Sequence, residues 1–212
     1  MSRWFPIFAI GLLLYAGNAL VIQRPMSSGK APAIDLAQEP EQTPLQPPES
    51  LRLIRDGKTF VIEKTHQYEV VGQVLSTATY NVTFTNDFFD VDLGLIWGPK
   101  REALLARYKF YQDGRWLFWR SDHEVSDEMR AYITTHISNN HLIPAEGRKN
   151  VAKAIHWAEK GDHVRLKGAL VTIHSDDGEV LLTSSTSRTD TGGGACEVLW
   201  VDEMQIGEKV YR

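Results

Sequence analysis

Cysteine is nearly absent from this chain of 212 residues, which contains a single one, Cys196. One cysteine cannot form an intrachain disulfide, so packing and hydrogen bonds must hold the fold. The sequence also lacks a CxxC pair and an HExxH segment, two spacings that indicate zinc strongly. We therefore predict no disulfide framework, no metal site and no other cofactor.

An excess of positive charge is also lacking, because 23 Lys and Arg residues stand against 27 Asp and Glu residues, for a net charge of −4. Proteins that bind nucleic acid through its phosphates usually carry a basic face and a high pI. The sequence pI is about 6.0. Nucleic acid is therefore disfavoured as a partner.

A long apolar run occurs at the N-terminus, where residues 4–22 carry no charge and one strongly polar side chain, Asn18. As a helix this run spans about 28 Å, close to the hydrocarbon thickness of a bilayer. A cleaved secretory signal is the alternative, since Gly17 and Ala19 have the spacing of a cleavage site. The apolar run continues to Ile22, beyond that site, so we predict a retained transmembrane anchor over residues 1–22.

The anchor predicts an inner-membrane, single-pass protein whose following domain lies outside the cytoplasm, in the periplasm. Long segments translocate largely regardless of charge, which favours an amino terminus inside the cell. Residues 23–50 contain six prolines and few β-branched or aromatic residues, a composition typical of a disordered spacer. Residues 51–212 are long enough to bury a core and are predicted to form a single globular domain.

Strand patterns dominate this domain. Asp113-Gly114 lies between two aromatic-rich runs and predicts a hairpin with strands near 107–112 and 115–120. Other segments have the apolar or alternating composition of strands: 58–64, 68–76, 79–85, 163–173, 179–185 and 196–201.

Two helices are predicted between the hairpin and the last strands. Ser126 has the position of an N-cap for residues 127–137, and an apolar stripe with helical spacing runs over residues 148–159. The fold class is therefore α+β with a largely antiparallel sheet. The order of elements is similar to that of OB-like, partly open barrels with two helices.

Two polar stretches, residues 136–145 and 188–197, contain the candidate site residues. A cysteine, a histidine base and an asparagine that positions it would suffice for a thiol nucleophile, and metal binding is a second option. No spacing matches a known catalytic or metal motif, so the candidates are weak: His136, His141, Asp190 and Cys196, with Asn139 or Asn140 as a positioner.

A purely structural interpretation competes with a site. Residues 136–145 then form a loop after the first helix, with His141 held by a backbone partner. Cys196 begins an apolar strand and is expected to be buried and unreactive. The carboxylates Asp87, Asp90 and Asp92 do not match a calcium loop and are expected in a solvated connection.

Four segments resemble an uncharacterised family of small bacterial membrane-anchored proteins, across most of residues 51–212. They are DLGLIWGP (92–99), GRWLFWR (114–120), NNHLIPA (139–145) and DTGGGACEVLWV (190–201). The resemblance implies a bacterial envelope location and one intact domain. It implies no activity and no catalytic residue.

The sequence favours a membrane-anchored envelope protein whose external domain binds a protein or small ligand without chemistry. One alternative is a membrane-tethered hydrolase or thiol enzyme that uses the His/Asp/Cys cluster. Another is an OB-like module that binds glycan or single-stranded nucleic acid. The membrane itself, through residues 4–22, is the one partner that the sequence specifies.

Overall fold

The structure is a computed structural model that describes residues 24–55, 57–80, 88–89 and 91–212. The anchor predicted over residues 1–22, most of the strand predicted over 79–85, and Asp87 and Asp90 lie outside these ranges. Within them, no helix combines the length and apolar character needed to cross a membrane. The class is α+β, as predicted, with a mostly antiparallel sheet and three helices in the described part of the chain.

The elements follow one another from a short first strand to a C-terminal hairpin. They are β1 (Gly29–Lys30), β2 (Glu41–Arg55), β3 (Lys58–Thr79), β4 (Val91–Ile96), α1 (Arg101–Arg107), β5 (Lys109–Asp113), β6 (Trp116–Arg120), α2 (Asp127–His136), β7 (Ile137–Pro144), α3 (Lys149–Trp157), β8 (His163–Ser175), β9 (Val180–Thr183), β10 (Glu197–Ile206) and β11 (Lys209–Tyr211).

Five of these strands pair in a closed ring, in the order β3-β4-β7-β10-β8, because β8 pairs with both β10 and β3. Every pairing in the ring is antiparallel except that of β7 with β10. Apolar side chains from all five strands form one buried cluster, and the apolar stripe of α3 packs on it. Its members include Val70, Leu93, Leu142, Val151, Ile155, Leu166 and Leu199.

The ring depends on a close approach between β8 and β10. A Cβ atom at Gly168 would lie 1.8 Å from the carbonyl oxygen of Trp200, far inside van der Waals contact. Gly168 faces Val201 in the register of these strands, beside a bulge between Val201 and Glu203. Only glycine therefore permits this pairing without a backbone shift.

Two of the three further buried clusters in the described part of the chain cover the ring. One joins β2, the first half of β3 and the later strands through Leu53, Phe60, Ile62, Phe89, Ile143, Val198 and Trp200. The other joins α1, α2 and the β5–β6 hairpin to the ring through Leu75, Ile96, Leu104, Phe110 and Ile133.

The hairpin predicted near 107–120 is confirmed, with its turn one residue later than expected. Asp113 pairs with Trp116, so Gly114 and Arg115 are the central turn residues. Both have positive φ, 51° and 68°, as a two-residue turn between twisted strands requires. The shift places Arg115 at the tip of the hairpin.

Residues 24–50 differ from the disordered spacer that the sequence predicts. β1 pairs with β11, and β2 pairs with β3 from Glu41 onward. Among the described strands, β2 pairs only with β3 and is therefore an edge strand, where proline needs no ladder partner on its outer side. The register shift between Pro44 and Glu49 accommodates the two prolines between them.

The two predicted helices are confirmed as α2 and α3, and the Ser126 side chain accepts from the Met129 N–H at 3.3 Å. The short helix α1 was not predicted. The loop expected over 136–145 was wrong, because residues Ile137–Pro144 are strand β7 and lie inside the ring between β4 and β10.

Candidate functional site

Strand β7 carries polar side chains into the middle of the sheet. His141 pairs in register with Asp92 of β4 on one side and with Val198 of β10 on the other. Cys196 directly precedes β10 and lies beside Asn139 of β7. Asp92 of β4, His141 of β7 and Cys196, which precedes β10, therefore lie together on the outer face of the ring.

Asp92, His141 and Cys196 are in contact in that order, and we refer to them as the triad. His141 Nδ1 lies 2.8 Å from Asp92 Oδ1, and the Cys196 side chain is close enough to the imidazole to raise its pKa. The Phe89 ring stacks on the imidazole at 4.7 Å between centroids, which fixes the plane of the ring.

The contacts of His141 favour its protonated form. Burial alone would lower the pKa of His141, but the hydrogen bonds and charges of Asp92 and Cys196 outweigh it and raise the pKa to about 9. The imidazole is therefore positively charged at neutral pH, with the carboxylate on one side and the sulfur on the other. A cationic imidazole beside a sulfur is the arrangement that activates a thiol nucleophile.

Asp92 is fully buried, and a buried carboxylate needs compensating charge. Arg115 supplies part of it from the hairpin tip, with Nη1 3.4 Å from Asp92 Oδ1. The guanidinium also lies over the rings of Tyr80 and Phe89, at 3.9 and 4.7 Å from their centroids. These contacts attach the tip of the hairpin to the triad.

Tyr80 completes this side of the site. Its hydroxyl oxygen accepts from the Arg115 backbone N–H at 3.0 Å. Burial, with the charge of Asp92, raises the pKa of Tyr80 to about 12, so the hydroxyl stays neutral at physiological pH. Tyr80 therefore stabilises the turn conformation of Arg115 without adding charge.

Asn139 places an amide donor next to the sulfur. Its Nδ2 lies 3.6 Å from Cys196 Sγ and also donates to the Arg115 carbonyl at 3.0 Å. Its Oδ1 accepts from Gln112 Nε2 at 2.6 Å, so the amide is held from both ends by the hairpin. A fixed N–H donor beside a nucleophile can stabilise an oxyanion that forms on an attacked carbonyl.

A pocket of about 330 Å³ opens over the Cys196 side chain, and we refer to it as the site pocket. Strand β6 forms one wall and residues 190–196 form the opposite wall. The base comes from the end of α2 and the start of β7. Its lining is Trp116, Leu117, Phe118, Trp119, Thr134, Ile137, Ser138, Asn139, Asp190, Thr191, Gly192, Ala195 and Cys196.

Three of the four predicted candidates come together here. His141 and Cys196 are in the triad, and Asp190 lines the site pocket, where its Oδ2 accepts from Ser185 Oγ at 2.6 Å. His136 is separate. It stacks on Tyr132 and its Nε2 lies 3.4 Å from Glu39 Oε1, and five residues of extended chain, about 16 Å, separate it from His141.

Three expectations about the triad residues require correction. Asp92 does not lie in a solvated connection, because it is in strand β4 with no exposed surface. Cys196 is not buried among apolar side chains, because it is partly exposed, lines the site pocket and has Asn139 and His141 as polar neighbours. His141 is held by a carboxylate and not by a backbone group.

Sequence reasoning missed both Asp92 and Arg115. A single carboxylate inside the apolar strand VDLGLI was a usable signal for Asp92, since an unpaired charge rarely stays in such a strand. Arg115 gave no comparable signal, because a basic residue after Asp-Gly is ordinary on a hairpin turn.

A second buried polar group lies next to the triad. Glu197 is 2% exposed and pairs with Arg188, whose guanidinium lies over the Tyr68 ring at 5.6 Å. Burial outweighs the attraction of Arg188 and raises the pKa of Glu197 to about 7. This pair ties the segment before β10 to the ring, directly beside Cys196.

Within the ranges that the structure describes, no three His, Cys, Asp or Glu side chains are placed to hold a metal ion. Comparison of the chain with protein-family models, curated proteins and solved structures found no match.

Proposed function

We propose that the domain is a thiol-dependent hydrolase or acyltransferase with Cys196 as its nucleophile. The observation that carries this proposal is the contact order Asp92–His141–Cys196 at the edge of the site pocket. A nucleophile, a base and a group that orients the base define this kind of site on unrelated folds. The proposal departs from the non-catalytic binding role that the sequence favours.

The chemistry follows from the positions of the side chains. Cys196 Sγ attacks a substrate carbonyl carbon, and His141 holds the thiol proton. The carbonyl oxygen becomes an oxyanion, for which Asn139 Nδ2 is the adjacent side-chain donor. The bond to the leaving group breaks, the proton on His141 passes to that group, and a thioester remains on Cys196. Water or a second nucleophile then releases the acyl group by the same steps.

Asp92 has a positioning role. It holds Nδ1 of His141 at 2.8 Å, which fixes the ring orientation and stabilises the imidazolium. Arg115 and the full burial of Asp92 keep this carboxylate in place.

The test uses the full chain and p-nitrophenyl acetate. We expect one acetyl group on Cys196, detected by intact-protein and peptide mass spectrometry, together with p-nitrophenol release. Cys196→Ser and His141→Asn should both abolish the adduct, while His136→Asn, the same substitution outside the triad, should retain it. An adduct that forms equally in His141→Asn, or on lysines alone, would contradict the proposal.

A second candidate is an OB-like binding module for glycan or single-stranded nucleic acid. The five-stranded ring, with α3 between its third and fourth strands, supports an OB-like barrel. The site pocket is lined by Ile137, Ser138 and Asn139 of the third ring strand, and OB folds bind ligands on the face of their second and third strands. Titration of Cys196→Ser with oligosaccharides and oligonucleotides tests this candidate independently of the chemistry.

The location remains a proposal from the sequence. The apolar run over residues 4–22 supports an inner-membrane anchor with the domain in the periplasm. Fractionation of cells that express the full chain tests it: the intact chain is expected in the membrane fraction, and a shortened soluble form would show a cleaved signal.

A further inference from the structure

We propose that the acyl group carried on Cys196 is apolar and uncharged, an aliphatic chain that the site pocket accepts along strand β6. This inference rests on the proposed thiol chemistry and names its substrate class. The carbonyl can arrive as an ester or a thioester, since both place the acyl body on the same side of the sulfur.

The pocket wall opposite residues 190–196 consists of large apolar side chains. Trp116 and Phe118 are each 41% exposed, although most aromatic side chains of this domain are buried. They border the same space as Leu117, Trp119 and Cys196. Exposed aromatic surface beside a nucleophile is surface that a bound apolar group would remove from water.

The charge of the lining excludes an anionic substrate body. Among the described residues that line the pocket, Asp190 is the only charged one, and it is anionic. Arg130 stacks over the Trp119 ring but does not line the pocket. A substrate with a phosphate or a terminal carboxylate would place its charge near Asp190, and no described residue of the lining supplies a cation to pair with it.

Two glycines, Gly94 and Gly193, shape the pocket. Gly94 of β4 permits the hairpin to lie on the sheet, because a Cβ atom there would be 2.8 Å from Leu117 Cδ1. The opposite wall approaches the hairpin at Gly193, where a Cβ atom would be 3.9 Å from the Trp116 ring. The space between these walls runs away from Cys196 along β6.

The experiment compares three aryl esters on the full-length protein: p-nitrophenyl acetate, p-nitrophenyl octanoate and the mono-p-nitrophenyl ester of suberic acid. Octanoate and suberate have the same length and differ in a terminal carboxylate. We expect kcat/KM for octanoate to exceed both others by about tenfold or more, with the octanoyl group found on Cys196 by mass spectrometry.

Two variants assign the preference to the aromatic wall. Trp116→Ala should reduce the octanoate-to-acetate ratio by about tenfold, while Trp157→Ala, which removes a tryptophan of similar exposure on α3, should leave the ratio unchanged. The comparison of the three esters on the wild-type chain does not depend on either variant.

The outcomes separate the two proposals. Acetylation of Cys196 without a preference for octanoate would support the proposed thiol chemistry and refute the proposal of an apolar acyl substrate. Suberate used as well as octanoate, or a ratio that Trp116→Ala leaves unchanged, also overturns it. No acyl adduct from any of the three esters overturns both proposals.

Discussion

His141 Nδ1 lies 2.8 Å from Asp92 Oδ1, and the same imidazole lies beside Cys196, so one ring connects a buried carboxylate to a partly exposed thiol. Asp92 is on β4 and Cys196 directly precedes β10, and the ring of strands is closed by the pairing of β8 with both β10 and β3. The arrangement therefore exists only in the folded domain.

Asp92→Asn should lower the rate of ester hydrolysis by roughly 10³- to 10⁴-fold, because an amide of the same shape no longer stabilises the imidazolium or selects its tautomer. The measurement is kcat with p-nitrophenyl acetate. Asp122→Asn, which breaks only an exposed ion pair with Lys109, is the matched control and should retain full activity. Equal rates for the two variants would remove Asp92 from the mechanism.

The stability that His141 provides should depend on pH. Its pKa is about 9 in the folded chain and 6.5 ordinarily, so its contribution is complete below pH 6.5 and disappears as pH rises through 9. The difference in unfolding free energy between wild type and His141→Asn should therefore be about 3 kcal/mol larger at pH 6 than at pH 9.5. Urea unfolding measures it, and an equal difference at both pH values would refute the assigned pKa direction.

Arg188→Met should destabilise the domain more at alkaline than at acidic pH. Burial raises the pKa of Glu197 to about 7, so its carboxyl is protonated at pH 5 and must be buried as an anion at pH 8.5. We expect a loss of about 3 kcal/mol at pH 8.5 and a smaller loss at pH 5.

Chemical denaturation at the two pH values tests the Arg188 prediction. Arg52→Met, which removes an exposed ion pair with Asp176, is the control and should cost less than about 1 kcal/mol at either pH. A loss at pH 5 as large as that at pH 8.5 would show that the guanidinium stabilises the fold by packing and not by charge.

Gly168→Ala should open or strain the closed ring, because the new Cβ atom would collide with the Trp200 carbonyl. The expected loss is about 3 kcal/mol, at the upper end for overpacking. Gly29→Ala, with no atom within 4 Å of the added Cβ, should change stability little. Thermal unfolding compares the two variants. Similar melting temperatures would mean that β8 and β10 can move apart without a loss in the free energy of unfolding.

Local signals were sufficient for much of the fold. Ser126 marks the start of α2, the apolar stripe over 148–159 gives α3, and Asp113-Gly114 gives the hairpin, because each depends on residues close in sequence. The α+β class with a mostly antiparallel sheet was predicted from the order of elements and is confirmed, whereas the OB-like topology stays a prediction.

Strand β7 shows why the site could not be predicted in the same way. Its sequence ISNNHLIP alternates weakly and contains two asparagines and a histidine, which is typical of a turn. Asn139 is stable there because its amide hydrogen-bonds with Gln112 and Arg115, and His141 because its imidazole pairs with Asp92. These partners lie 24 to 49 residues away in the sequence. Periodicity within one segment contains no information about those partners.

The pairing of β1 with β11 fixes the start of the described chain against the domain, since the Ser28 N–H donates to the Val210 carbonyl at 2.7 Å. Residues 23–50 as a flexible chain would have given a reach of about 30 Å. If residues 4–22 span a bilayer, as the sequence predicts, only Gln23 lies between that span and Arg24, so Ile22 and Arg24 are at most about 7 Å apart. The domain would then be held at a fixed distance above the lipid headgroups, where the local concentration of membrane-borne acyl groups is highest. Substrates dissolved farther from the membrane would reach it only by diffusion.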